Sequence, residues 1–409
     1  MNSRERIITA LNHRQPDRIP VDLAGHGSSG IAAIAYARLR KFLGLKEKPI
    51  RVFDPVQQLA LVDEDVLERF GVDTIDLGRG FALDDADWAD WVLPDGTPCQ
   101  MPRWALPERG KDEWLIRSRN GTIIARMPDG VLYFEQCYFP FSEEGGPKTI
   151  AEAMDNCSWT TITAPPGPLI EVPNGLQLFA EGGQRLREST ERAIVWSFGG
   201  NLFEMGQFFY RIDNFFALLA SEPRRAHDFL DKLVDFHLGN LDRLLGAVGQ
   251  YVDVITFVDD LGMQTGLLLS PKMYREFFKP RHALLWKRAK ELAKIKVLLH
   301  CDGAIRELIP DLIEIGLDAV NPVQTTLPGM DAKGLKAEFG KDLVFWGGGC
   351  DGQSVLFHGT PEEVKRHVRE QVKILGPGGG FVFQQVDNLM ANIAPEKIVA
   401  MYEALNSEA

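Results

Sequence analysis

Apolar residues recur at helical spacing early in the chain. Residues 4–12 read as a short helix opened by Ser3, Glu5 and Arg6, and Pro16 and Pro20 bracket the exit into an apolar stretch at 19–24. Ile31, Ile34, Ala35, Leu39 and Leu43 predict a second helix, stopped by Gly44. Residues 57–70 predict a third, ended by Gly71, and 72–77 a short strand. The texture then changes. From about Ala82 to Pro173, Pro-Asp-Gly and Asn-Gly turns separate short alternating segments. Residues 114–119 and 122–127 flank Asn120 and Gly121, a pair that supplies the backbone twist of a hairpin turn. Gly145, Gly146 and Pro147, and then residues 165–168, mark loops near the end of this block.

After Gly183 the rhythm is regular. Apolar runs at 193–198, 251–258, 296–299, 317–320, 343–346 and 381–385 alternate with helical patterns at 203–219, 226–245, 271–292, 305–315, 331–339, 361–375 and 395–405. Together with 21–24 and 72–77 the strands number eight. Continuous apolar strands joined by helices imply a parallel sheet buried on both faces. Eight of them imply an α/β fold closed as a (β/α)8 TIM barrel. The competing architecture is an open doubly wound sheet. No strand is followed by a Gly-x-Gly-x-x-Gly turn opening a helix, and the glycines at 378–380 precede a strand, so the barrel is preferred. The expected organisation is one barrel domain over 1–409. It carries an antiparallel β-rich insertion or lid at 82–180, between strands 2 and 3.

Composition narrows the partners. The 409 residues carry a formal net charge of −12, which argues against nucleic acid and anionic membranes. No apolar run is long enough to span a bilayer. The charged N-terminus lacks the apolar core of a signal peptide, so a cytoplasmic location is expected. Five cysteines in a chain of this length are not a disulfide framework, which leaves their thiols free.

In a barrel the site lies at the C-terminal ends of the strands. Those ends carry Asp76 and Arg79, Asp259 and Asp260, His300 and Asp302, Asn321 and Gln324, Cys350 and Asp351, and Gln384 with Asp387. His300 and Asp302 are two apart and share a face, while Cys301 points to the other. A histidine nitrogen, the Cys350 thiolate and the Asp302 carboxylate would make an open Zn2+ site with one position left for water or substrate. The alternative is that Cys350 is only a small residue in a tight glycine turn and His300 a hydrogen-bonding side chain. Asp259 or Asp260 would serve as a general base, a substrate-orienting carboxylate or an extra ligand, or one of them would cap the turn that follows. His26 lies in a Gly/Ser loop after the first strand. It joins Arg79, Gln264, Asn321, Gln324 and Gln384 as a candidate substrate contact.

Several segments resemble the uroporphyrinogen decarboxylase superfamily. They are Asn2 to Arg6 followed by Pro16 to Val21, Phe70 to Asp73, Leu269 to Phe277, and the turn Gly347 to Asp351. The resemblance covers the first 80 residues and nearly everything from Ala193 onward, and it implies the same barrel. Decarboxylases of this superfamily carry an Arg-rich stretch after the first strand. The matching stretch here, Leu23 to Gly30, has no arginine, which argues against a substrate with eight carboxylates. The corrinoid-linked methyltransferases resemble the chain better. In their methanogenic members the fifth strand ends His-x-Cys-Gly and the seventh ends in Cys, and these residues bind zinc. Here the fifth strand ends His300, Cys301, Asp302, Gly303, so Asp302 stands where a thiolate would be.

Three readings follow. The first is a zinc-dependent methyltransferase moving a methyl group to or from a corrinoid on a partner protein, since no Asp-x-His-x-x-Gly motif occurs in this chain. Zn2+ would sit on His300, Cys350 and Asp302, with Asp259 or Asp260 acting on a small-molecule substrate. The second is a cofactor-free decarboxylase in which Asp76 holds the substrate. The third is a non-catalytic scaffold. The resemblance also implies a homodimer. The aromatic residues of the insertion (Trp88, Trp91, Trp104, Trp114, Tyr133, Phe134) would form a lid, a dimer surface or a small core of their own.

Overall fold

A computed structural model describes residues 1–81, 85–161 and 172–406. The expected loop at 165–168 lies outside the described residues. Seven parallel strands form one curled sheet: β1 (Thr74–Asp76), β2 (Ala193–Gly199), β3 (Val254–Val258), β4 (Lys296–His300), β5 (Ala319–Asn321), β6 (Val344–Trp346) and β7 (Phe381–Val382). They are hydrogen-bonded in chain order from β1 to β7. The stretch expected as the first strand is reduced to a bridge between the two edges. Val21 pairs in parallel with Phe383 beside β7, and its carbonyl accepts the N–H of Asp73 beside β1 at 2.8 Å. The architecture is TIM-like. Pro20 explains the short first segment, since its missing N–H breaks a ladder.

The sheet is buried on both sides, which is why its strands read as unbroken apolar runs. Inward residues Ala193, Val195, Val254, Leu298, Ala319, Val344, Trp346 and Val382 form an inner core. Ile7 and Leu11 of the first helix, Ser3–Leu11, belong to it and plug its N-terminal end. Asn2 caps that helix in a capping box with Glu5. Outward residues such as Ile255, Val297 and Phe345 join the larger core beneath the helices.

Several helices differ from the sequence expectation. The pattern at 57–70 yields only Glu64–Arg69, because Gln58 takes a positive φ of 53° and Leu59–Ala60 pairs with Ile50–Asp54 as a strand. The pattern at 203–219 is split into Phe203–Tyr210 and Ile212–Ser221 by Arg211, whose φ is 67°. Pro361–Leu375 forms as the pattern predicts, opened by Thr360 in a capping box.

Between β1 and β2 the described residues add two small sheets. Trp88–Val92 and Pro98–Pro102 form a hairpin, and the second of these pairs in parallel with Ile50–Asp54. Glu108–Arg109, Glu113–Arg117, Ile123–Pro128 and Glu135–Gln136 form an antiparallel sheet, its central turn at Asn120 and Gly121. Trp91 and Trp114 meet edge to face at 5.3 Å and join the two sheets. The same stretch also holds helices Ile150–Met154 and Ser158–Thr161 and the start of Gly175–Ser189, so it is not purely antiparallel. Among the described residues no helix is long and apolar enough to cross a membrane.

Candidate metal centre at the strand ends

Strand parity places the polar groups. Leu298 faces the inner core, so His300, two residues on, faces inward at the rim, and Asp302 continues that face. Val254 faces inward too, and the same count brings Asp260 to the rim beside them. The donor atoms of Asp260, His300 and Asp302 lie within 4.8 Å of one another. Nε2 of His300 is 3.9 Å from each carboxylate. The Asp302 N–H donates to Oδ1 of Asp260 at 2.7 Å, and Oδ1 of Asp302 is buried without a hydrogen-bond partner among the described residues. Below them, Nδ1 of His300 lies 2.9 Å from Oδ1 of Asn321.

Gly303 makes the turn after Asp302. Its φ is 95°, and a Cβ there would strike the backbone of Gly262 and Met263. That close crossing packs the hairpin Gly262–Met263 and Gly266–Leu267 onto the end of β4. Gln324 braces the same turn by accepting the Gly303 N–H at 2.5 Å.

Like charges crowd this rim. Burial, with Asp260 and Asp387 adding to it and His300 opposing, pushes Asp302 up to about 7. Burial alone lowers His300, but Asp302, Asp260, the bond to Asn321 and Asp387 outweigh it and leave the ring above its ordinary value. Asp387 is itself raised, chiefly by burial. It has a φ of 58°, rare for a residue with a side chain. Glu204 joins the rim from the first turn of Phe203–Tyr210. Burial and then Asp260 and Asp259 raise it well above the carboxylate range. Asp76, across the ring on β1, is pushed up to about 7 by burial, against the Gly78 N–H that it accepts at 2.7 Å.

The structure does not bring all the sequence candidates to this point. Asp259 faces outward. Its carboxylate accepts the N–H groups of Leu202, Phe203 and Glu204 at 3.3, 3.0 and 2.8 Å and meets Nε2 of His282 at 3.0 Å. It caps a helix and is not one of the cluster. Cys350 also stands outside the group. Its thiol is fully buried in the outer core, and burial pushes it far above the thiol range. The cause is a bulge. Trp346 pairs with Val382 and Cys350 with Gln385, so four steps along one strand face three along the other. Gly347 and Gly349 donate in step to the Val382 and Gln384 carbonyls, so the extra residue enters between Gly349 and Cys350 and reverses the face on which Cys350 falls.

The remaining candidates separate as well. His26 is buried with Nε2 3.3 Å from Oδ2 of Asp22, which also accepts the Trp346 indole N–H at 2.8 Å; both lie in the ring beneath the rim. Arg79 turns its guanidinium to the Val62 carbonyl. Gln264 is exposed at the tip of the hairpin after Asp260. Asn321 and Gln384 are fully buried and bonded to one another. Glu204 escaped the sequence reading because it sits one turn into a helix, where an acidic residue is ordinary. The glycine pair before it, Gly199 and Gly200, was the available signal.

Nitrogen and carboxylate donors of this kind fit Zn2+, and they form a harder set than one containing thiolate. The buried, unpartnered Oδ1 of Asp302 supports that fit, since an orphaned carboxylate oxygen is costly without a cation or proton.

Residues 139–407 match the family described as Uroporphyrinogen decarboxylase (URO-D). The chain is 26% identical over 188 residues to a uroporphyrinogen decarboxylase of Psychromonas ingrahamii, covering 45% of this chain and 49% of that protein. It is 23% identical over 195 residues to one of Magnetococcus marinus, covering 47% and 51%. The chain thus spans about half the length of the curated relatives it matches. A solved methyltransferase from Methanosarcina mazei has the same fold, with a TM-score of 0.59 at 17% identity over 99% of this chain and 98% of that one.

Proposed function

Because the chain belongs to the uroporphyrinogen decarboxylase family, we propose that it is a zinc-dependent methyltransferase. It moves a methyl group between a corrinoid on a partner protein and a small substrate at the rim. The observation that carries this reading is the convergence of Asp260, His300 and Asp302 within 4.8 Å. These three residues would hold the ion, in place of the set with Cys350. Zinc, when bound, supplies Lewis-acid polarisation of the heteroatom that gives or takes the methyl group.

The chain's own groups do the rest. Asn321 orients His300 through Nδ1. The Asp302 N–H holds Asp260 in place. Asp76 exchanges a proton near neutral pH at its carboxyl oxygen, suited to a leaving or attacking heteroatom.

A decarboxylase reading has two supports: the place of Asp76 on β1 and the names of the two curated relatives. Charge opposes it for a polycarboxylate. Asp76, Glu204, Asp260, Asp302 and Asp387 gather at the rim, and Leu23 to Gly30 supplies no arginine.

Metal analysis of protein purified without chelators tests the proposal, with His300→Ala as control. About one zinc per chain, lost in His300→Ala, and demethylation of methylcobalamin that depends on it are expected. A metal-free wild type that removes carboxylates stepwise from uroporphyrinogen would overturn it.

A further inference from the structure

The proton on the His300 ring can be placed from the amides beneath it. The Asn321 side-chain nitrogen is committed twice, donating to the Trp346 carbonyl at 2.9 Å and to Oε1 of Gln384 at 2.8 Å. The Gln384 nitrogen donates to the Ser28 carbonyl at 2.8 Å. A backbone carbonyl only accepts, so Ser28 and Trp346 decide which end of each amide is nitrogen. The Asn321 atom facing His300 is therefore oxygen, and Nδ1 at 2.9 Å must donate to it. In the neutral ring the lone pair then lies on Nε2, the nitrogen that faces Asp260 and Asp302.

We propose that Asn321 and Gln384 are positioning residues, which lock His300 in the Nδ1–H tautomer and present Nε2 as a ligand atom. This rests on the reading of His300 as a metal ligand. It replaces their expected role as substrate contacts. Both side chains are fully buried, and the Asn321 oxygen and nitrogen are already engaged by three partners. The chain of bonds runs from the loop after the first segment, through β7 and β5, to the end of β4. The Gly/Ser loop at 25–30 is thereby tied to the geometry of the site across the ring.

The tautomer is read without metal. Protein labelled with 15N-histidine, titrated upward until the His300 shifts stop moving, reports each ring by its two nitrogen shifts. His300→Ala identifies the His300 signal. The wild type is expected to show Nδ1–H. Asn321→Leu is expected to release that tautomer and to weaken Co2+ binding about 10- to 100-fold. Gln384→Glu keeps an acceptor for Asn321 while losing the donor to the Ser28 carbonyl, and is expected to keep the tautomer. Gln384→Met removes the acceptor, and a smaller loss of Co2+ affinity is expected because Trp346 still holds Asn321.

A wild-type Nε2–H ring overturns the proposal, as does Asn321→Leu with unchanged shifts and affinity. If Asn321→Leu does not fold, the wild-type tautomer and Gln384→Met decide; unchanged Co2+ affinity in Gln384→Met removes Gln384 from the mechanism. A wild type that shows Nδ1–H but binds no Co2+ defeats the metal reading alone.

Discussion

The backbone N–H of Asp302 donates to Oδ1 of Asp260 at 2.7 Å, so the end of β4 is fastened to the end of β3 through a carboxylate of the Asp260, His300 and Asp302 cluster. Asp260 has a double duty that Asp302 does not share. Asp260→Ala removes a ligand and the fastening together. Asp302→Asn removes charge but leaves the backbone N–H. Zinc affinity, measured by competition with a chromophoric chelator, is expected to fall in both. The loss in Asp260→Ala should be larger, on the order of 100-fold or more. Equal losses would show that the fastening contributes nothing.

The crowded carboxylates make the metal-free protein sensitive to pH. Asp302 sits near 7 in the folded chain, above its unfolded value. The folded state therefore binds the extra proton between about 4 and about 7. Its contribution to stability is present below that window and is lost as pH rises through it. The metal-free Asp302→Asn variant should match wild type near pH 4. By about pH 8 it should melt several degrees higher, as expected for a difference of a few kcal/mol, since each pH unit of the window is worth about 1.4 kcal/mol. Zinc affinity runs the opposite way and falls below about pH 7, since the ligands must lose protons to bind. Thermal melts across the range check the first claim. A melting gap that ignores pH would contradict it.

Asp259 and Asp260 are neighbours with separate jobs. The Asp259 carboxylate receives three N–H groups from Leu202, Phe203 and Glu204 and pairs with His282. Asp259→Asn should lower stability by about 1–3 kcal/mol, the range for a buried charged hydrogen bond. Zinc affinity should be unchanged. Urea unfolding alongside zinc titration separates the two effects. A variant of full stability that loses zinc would place Asp259 at the rim after all.

The parts of this arrangement legible in the sequence share one cause. β2 to β7 were readable because strands buried on both faces are apolar at nearly every position, and that pattern survives without tertiary information. His300 and Asp302 were readable as partners because two-residue parity holds along an unbroken strand. The first segment around Val21 was readable as apolar but not as a single bridge. Asp260 was separable from Asp259 only once the inward face of β3 was known. Glu204 reaches the rim from a helix, where neither strand parity nor strand-end position applies. Gln58 and Arg211 broke two expected helices through positive φ values that such side chains do not announce.

Cys350 is the sharpest test, because resemblance and structure disagree about it. Counting from inward-facing Trp346, strict alternation brings Cys350 inward too. The ladder shows otherwise: Gly349 donates to the Gln384 carbonyl at 2.9 Å, and the Cys350 carbonyl receives the Val386 N–H at 2.7 Å. Gln384 faces inward toward Asn321, so its neighbour Gln385, and Cys350 opposite it, face out. Bringing the thiol into the ring would require a one-residue slip of the Cys350 segment against Gln385. Cys350→Ala is therefore expected to leave zinc stoichiometry and affinity intact. It should cost about 1 kcal/mol of stability through the small cavity it opens in the outer core. A tenfold or greater loss of zinc affinity in Cys350→Ala would mean that the bulge at Gly349 and Cys350 rearranges when metal binds. It would restore the thiol to the ligand set.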